Sequence, residues 1–321
     1  MQLVGSLEEQ NGTHITEFIL LGFGNVENVN MSLFLLFLAI YIVTLSGNLL
    51  IVALVVAEQR LHTPMYFFLA NFSFLEICYT SSILPRMLAS FLTGNKAISL
   101  WGCILQMHFF SFLAATECYL LAVMSYDRYL AICRPLHYVT LMSDRTCTLL
   151  VSVSWITGFL LITILTCLSG QLIFCRQFTI DHFLCDFTPL VRLSCSDTSV
   201  IETAAFVTSS IGIVPTFIIT VASYGFIIST ILRIPSRTGR KKAFSTCSSH
   251  LTVVSFFYVS LMIVYILPTT GKFKDLNKIL SLVYTVLTPM ANPFIYSLRN
   301  KDVKDIVRKA FYQVLNFSGI H

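Results

Sequence analysis

Two carboxylates stand where carboxylates are costly. Glu76 and Glu117 each interrupt a long apolar run, and an acid at the centre of a membrane helix costs about 2.5–3.5 kcal/mol on insertion scales. They are the only acids in the hydrophobic midplane, and no Lys or Arg shares it. Two neighbouring carboxylates either share a proton or clamp a Na⁺ ion with Asn48 and Asn292 beside them; the plainer alternative is two protonated acids hydrogen-bonded to adjacent helices. Arg128, flanked by Asp127 and Tyr129, closes the third apolar run. An arginine at that depth either marks the membrane interface or acts as a switch that Asp127 holds in one state and releases in another. Cys103, Cys175, Cys185 and Cys195 allow three disulfide pairings. A metal site helped by His108 and His182 is the rival, but no C-x-x-C spacing supports zinc. No H-E-x-x-H occurs and no Ser–His pair shares a depth, so no catalytic residue is assigned and the chain does not read as an enzyme.

These residues need a scaffold, and composition sets its class. Of 321 residues, 55% are hydrophobic and only 12% charged, about half the charge of a soluble domain. Mean hydropathy is +0.77. Soluble enzymes, nucleic-acid readers and disordered scaffolds are excluded. A membrane helix needs about 20 apolar residues, and seven such segments are predicted, at 30–57, 64–90, 99–132, 146–168, 198–232, 240–267 and 277–299. Strands are not expected, because the apolar runs are too long and do not alternate.

The net charge of +5 is distributed by topology. Arg60, Arg128, Arg134, Arg145, the Arg233–Lys242 loop and the residues from Arg299 to Lys309 carry most of the basic charge. The positive-inside rule then puts the N-terminus outside the cell, and the basic face meets anionic membrane lipid or a protein partner, not nucleic acid. Residues 1–29 form an extracellular tail without an apolar run and cleavage site, so the first span is expected to serve as signal anchor. Asn11-Gly-Thr is the well-placed glycosylation acceptor in it. Residues 30–299 form the bundle. In the cytoplasmic tail, 300–321, Val303, Ile306, Val307, Ala310 and Phe311 recur at helical spacing between basic residues, which predicts an amphipathic helix lying on the inner leaflet.

Several strings now narrow the reading. They are Leu61-His-Thr-Pro-Met-Tyr-Phe-Phe-Leu69, Met124-Ser-Tyr-Asp-Arg-Tyr-Leu-Ala-Ile-Cys133, Ser223-Tyr224, Lys242-Ala-Phe-Ser-Thr-Cys-Ser-Ser-His-Leu251 and Pro289-Met-Ala-Asn-Pro-Phe-Ile-Tyr-Ser-Leu-Arg-Asn300. In this order and at these depths, they resemble the vertebrate olfactory receptors of the class that spread in land animals, within the rhodopsin-like G-protein-coupled receptors. The likeness runs from about residue 18 to residue 311. Ser125, Ser248, Ala291 and Val259 depart from the more frequent residues of the pattern; Val259, where Gly is usual, bears on pocket shape or on bending of the sixth span.

The resemblance implies an all-α bundle of seven transmembrane helices with a short eighth. It implies the disulfides Cys103–Cys185 and Cys175–Cys195, in a loop over the pocket mouth. By motif offset, a ligand pocket in the outer half of the bundle draws on Met107, His108, Phe110, Ser111, Ala114, Ala205, Thr208, Ser209, Tyr258, Leu261, Met262, Tyr265, Leu282 and Thr285. That set is apolar with a few hydroxyls, which suits a small, mostly neutral volatile molecule. Phe110 stands where an amine receptor has Asp, and no Lys suited to a Schiff base lies between Lys278 and Arg299. Asp127, Arg128, Tyr129, Tyr224, Lys241, Lys242, His250, Asn292, Pro293 and Tyr296 are the implied switch and coupling residues. The implied partner is a heterotrimeric stimulatory G protein that raises cyclic AMP, and the implied location is the plasma membrane, in the cilia of olfactory neurons. No cofactor is implied beyond Na⁺ at Glu76 and Glu117. A sensor of a small metabolite outside the nose has the same pocket chemistry. A proton-coupled transporter or channel would use Glu76 and Glu117, but seven spans without repeated halves speak against it.

Overall fold

Apolar runs that must satisfy every backbone group without water become helices. The computed structural model describes residues 17–23, 27–174, 178–266, 274–299 and 303, with the backbone alone at 27–30, 242–243, 245–246, 249, 262–266, 274–275, 277 and 296–299. Its long helices are α1 (Glu27–Ala57), α2 (Pro64–Thr93), α3 (Leu100–Cys133), α5 (Asp144–Ser169), α7 (Ser199–Leu232) and α8 (Arg237–Ile266), with α9 (Lys274–Leu282) and α10 (Thr288–Arg299) joined by a π-helical turn, Val283–Leu287. Short helices α4 (Pro135–Leu141) and α6 (Phe187–Arg192) lie in connections. Among the described residues, α1 from Met31, α2, α3, α5 and α7 are long and apolar enough to cross a bilayer, and α8 contributes the apolar run His250–Leu261. With the α9–α10 rod, the bundle has seven members.

Local chemistry sets the ends. Ser99 Oγ accepts from Gly102 N at 3.1 Å to open α3, and Ser143 caps α5 through Thr146 N. Pro64 supplies the first residue of α2, and Gly94, at φ 70°, ends it in the left-handed region. The predicted segments match these helices to within a few residues.

The bundle is apolar outside and polar within. Leu35, Phe206, Ile218 and Val259 are exposed, while Asn48, Ser73, Glu76, Thr116, Glu117, Thr285 and Asn292 are buried. Val259 thus points away from the bundle interior. Interior hydroxyls are satisfied one turn back: Thr44 donates to Ile40 O at 2.8 Å and Thr116 to Phe112 O at 2.9 Å. Helix α3 packs on α2, α5, α7 and α8; α1 packs on α2 and α10. Close approach depends on small residues: a Cβ on Gly158 of α5 would stand 2.4 Å from Thr116 Oγ1 of α3, and one on Gly47 of α1 would stand 2.9 Å from Pro293 Cβ of α10.

Strands do occur, and this corrects the expectation. At the end of the bundle where α2 meets α3, β1 (Glu17–Leu20) lies between β2 (Ala97–Ser99) and β3 (Thr179–Ile180) in a three-stranded sheet. β1 runs antiparallel to β2, with Phe18 opposite Ile98, and parallel to β3, with Leu20 opposite Ile180. Phe18 is fully buried and meets Phe174 edge-on, ring centroids 5.1 Å apart. Asn11 and the tail beyond Asn300, except Val303, lie outside the described residues.

Candidate functional site: a polar core between two specialised ends

The disulfide end is a built lid. Cys103 at the start of α3 is bonded to Cys185, Cα atoms 5.4 Å apart, as the resemblance implied. Cys195 is disulfide-bonded as well; Cys175 lies outside the described residues. Gln106, one turn along α3, was not singled out from the sequence. Its Oε1 accepts from Cys185 N at 3.1 Å and its Nε2 donates to Ser82 O of α2 at 3.2 Å, so one side chain joins two helices and the loop. Lys278 of α9 donates to Asp181 Oδ1 at 2.7 Å and to Gly22 O at 2.9 Å. That tie binds the β1 segment and the loop to the seventh rod. Beside it, His182 is buried; desolvation and then the Lys278 charge push its pKa down to about 4, with Asp181 opposing. Burial also raises the Asp186 carboxyl, against the pull of Phe187 N–H.

Below the lid, the expected ligand residues divide. Met107 is buried in the cluster that contains Cys103, Cys185 and Ile201, against which Ala205 packs. Phe110 stacks on Tyr79 with ring centroids 5.5 Å apart, and tilts toward Tyr284 at 6.4 Å. Ser111, Ala114 and Ser209 are half-buried. Thr208 donates to Ala204 O at 2.9 Å. Tyr258 meets Phe217 at 5.4 Å; Leu261 is buried, and Leu282 packs against the core. Thr285 donates to Ser281 O at 2.7 Å. His108 turns to α5 instead, its Nδ1 3.0 Å from Thr166 Oγ1 and its ring between Phe109, Phe112 and Phe159. The physical reason is the helical step of about 100° per residue, which rotates it away from Phe110. Met262 and Tyr265 have no described side chain.

The polar core sits mid-bundle. Asn292 of α10 donates to Glu76 Oε1 of α2 at 2.5 Å. Asn48 of α1 donates to Thr44 O at 3.0 Å and to Pro289 O at 3.3 Å. Glu117 of α3 is buried within electrostatic reach of Glu76. Among the described residues, Asn48 Oδ1, Glu76 Oε2 and Asn292 Oδ1 are buried acceptors without a hydrogen-bond partner. Hard oxygens left without donors are the set that a small cation or a shared proton would satisfy, so these residues fit the Na⁺ or proton expected from the sequence.

At the opposite end, Arg128 is half-buried. Among the described residues no ion pair joins it to Asp127, although its charge acts on that carboxylate. Asp127 Oδ1 instead accepts from Tyr138 of α4 at 2.8 Å. Tyr224 of α7 is hydrogen-bonded to His250 Nδ1 of α8 at 2.5 Å, and the Arg128 charge acts on both residues. Tyr129 packs on Tyr126 and Phe226, Lys241 is exposed, and Pro293 abuts Gly47. The side chains of Lys242 and Tyr296 lie outside the described residues. Tyr138 escaped the sequence reading because its partner is eleven positions away, across a helix end.

Seven packed apolar rods thus carry a disulfide-tied lid at one end and Arg128, Tyr224 and His250 at the other. The crystal structure of squid rhodopsin superposes with a TM-score of 0.69 over 91% of this chain and 87% of that one, at 18% identity. A family model described as "Olfactory receptor" matches residues 37–314. Among curated relatives, olfactory receptor 2AP1 of Homo sapiens is 48% identical over 307 residues, 96% of this chain and 99% of that one. Olfactory receptor 6E1 of Mus musculus is 48% identical over 309 residues, with the same two coverages. The chain belongs to the olfactory receptor family, and it is a multi-pass membrane protein.

Proposed function

We propose that this protein is an odorant receptor that binds small, mostly neutral volatile molecules beneath the lid and signals through a stimulatory G protein to raise cyclic AMP. The N-terminus and the Cys103–Cys185 lid face outward and Asn11 carries a glycan. Residues 30–299 form the bundle, and residues 300–321 lie on the cytoplasmic leaflet, in the plasma membrane and its sensory cilia. The carrying observation is the separation of chemistries along one bundle, with an aromatic and hydroxyl interior under Cys185 and the Arg128, Tyr224 and His250 cluster at the far end.

A ligand that prefers the state with α8 displaced shifts the population by its differential affinity. Arg128 and Lys241 then meet the carbonyl-rich C-terminus of a G-protein helix. The core of Glu76, Glu117, Asn48 and Asn292 holds Na⁺ or a proton in the unliganded state, supported by its three unpartnered oxygens. Ser111, Thr208 and Tyr265 offer directional hydrogen bonds, and Met107, Phe110, Ala114, Ala205, Leu261 and Met262 offer burial. A volatile of about 12 heavy atoms gaining about 0.5 kcal/mol each binds with about 6 kcal/mol, in the tens of micromolar. A cyclic-AMP reporter screen against a volatile panel tests the reading. Arg128→Ala should abolish the response at equal surface expression, and Tyr265→Phe should weaken at least one agonist. An Arg128→Ala receptor that signals like the parent contradicts the proposal.

A further inference from the structure

At the disulfide end, a cavity of about 30 Å³ lies between the chain leaving β1, the last turns of α2 and the loop before Cys185. Arg86 and Lys96 line it, and among the described residues no Asp or Glu does. We propose that it is a binding site for one small inorganic anion, chloride in the extracellular fluid.

Charge is the first argument. Arg86 is half-buried, donates to Ala97 O and, among the described residues, makes no ion pair. An arginine cannot shed its proton, and a cation partly withdrawn from water is costly without an anion beside it. Lys96 donates to Leu21 O at 3.3 Å, which holds a second cation at the same wall. Lys278 is bonded to Gly22 O, but Asp181 neutralises it. The field in the cavity therefore comes from Arg86 and Lys96.

Size is the second argument. About 30 Å³ is one water's share of the liquid. It admits a monatomic ion, and it is too small for an organic carboxylate or a lipid phosphate.

The walls are the third. Leu21 N and Gly22 N are spent on Ile180 O at 2.9 Å and His182 O at 3.1 Å, so no backbone nest shares the anion with the two cations. Phe23 stacks on Phe183 and on Phe91, with interplanar angles of 11° and 22°, and all three rings line the cavity. Parallel rings turn their faces to one another and leave their electropositive edges for the cavity. An anion held there joins the β1 segment, α2 and the lid. Chloride as its identity rests on the outward topology proposed above; the preference for a small anion does not.

The test uses the purified full-length receptor in detergent, with sodium chloride replacing sodium gluconate at constant ionic strength. Hydrogen-exchange protection of the Leu21–Phe23 amides should rise and saturate with chloride, by about tenfold at about ten times its dissociation constant. Bromide should act as chloride does, and sulfate should not. Arg86→Gln should abolish the dependence, whereas Arg192→Gln, an equal charge change at the exposed end of α6, should keep it. If Arg86→Gln cannot be purified, Lys96→Gln and the binding of radioactive chloride to the parent, expected at one ion per receptor, decide. Equal protection in chloride and gluconate, an equal effect of sulfate, or a chloride dependence that survives these substitutions would overturn the proposal. No readout involves an odorant or a cell membrane, so failure of the receptor reading and failure of the anion site are told apart.

Discussion

The Asp127–Tyr138 contact changes what Arg128 does. Asp127 is buried, and its carboxylate accepts from Tyr138 at 2.8 Å; a hydrogen bond to a charged group contributes about 1.5–3 kcal/mol. Tyr138 thus competes with Arg128 for Asp127, and the Arg128 charge acts on Asp127, Tyr224 and His250 alike. Tyr138→Phe should return Asp127 to Arg128 and lower agonist-independent cyclic AMP several-fold at equal surface expression. Unchanged or higher basal signalling would deny Tyr138 this role. His182 gives a pH test with a definite sign. Its pKa falls from an ordinary 6.5 to about 4 in the folded lid, so the unfolded chain takes up the proton first on acidification. The contribution of neutral His182 is complete above pH 6.5 and is lost as pH falls toward 4. The protection of the Phe183–Cys185 amides, corrected for the intrinsic exchange rate at each pH, should therefore fall between pH 7 and pH 5 in the parent, and fall less in His182→Gln. Asp186, shifted upward, acts with the opposite sign in both proteins and drops out of the comparison.

At the scale of elements, tight crossings carry the bundle. A Cβ on Gly158 would lie 2.4 Å from Thr116 Oγ1 and 3.1 Å from Thr116 N, and backbone cannot move aside as a flexible side-chain tip can. Gly158→Ala should cost about 1–3 kcal/mol, seen as a lower melting temperature in detergent, whereas Gly225→Ala, with nothing within 4 Å, should be neutral or slightly stabilising. The long helices were legible because each is an apolar run of about 20 residues or more, a signal local in sequence; Pro64 and Gly94, Ser99 and Ser143 mark ends of α2, α3 and α5. The sheet was not: Glu17–Leu20, Ala97–Ser99 and Thr179–Ile180 are four residues or fewer each, and they pair only because the bundle brings three distant segments together. The π-helical turn at Val283–Leu287 leaves no hydrophobic period to read. In the site, Glu76, Arg128 and Cys103 announced themselves as residue types out of place. Gln106 and Tyr138 did not, since a glutamine or tyrosine near a helix end has no unusual cost until its partner is known.

The whole molecule is a bundle with opposite chemistries at its ends, and each end matters only if a membrane separates them. In the proposed topology the lid of Cys103, Cys185 and the Lys278–Asp181 tie lies in an oxidising compartment, and the basic connections lie in the cytosol. The tie is partly exposed, 12% and 31% at its two side chains, so Lys278→Met should cost no more than about 1 kcal/mol; its effect should appear as faster exchange of β1 rather than loss of fold. The most direct test places one epitope before residue 2 and another after residue 321 and stains intact and permeabilised cells. The account predicts that the first epitope is reached on intact cells, with an Asn11-dependent, glycosidase-sensitive mobility shift, and the second only after permeabilisation. Both epitopes reached from one side of an intact membrane would contradict it.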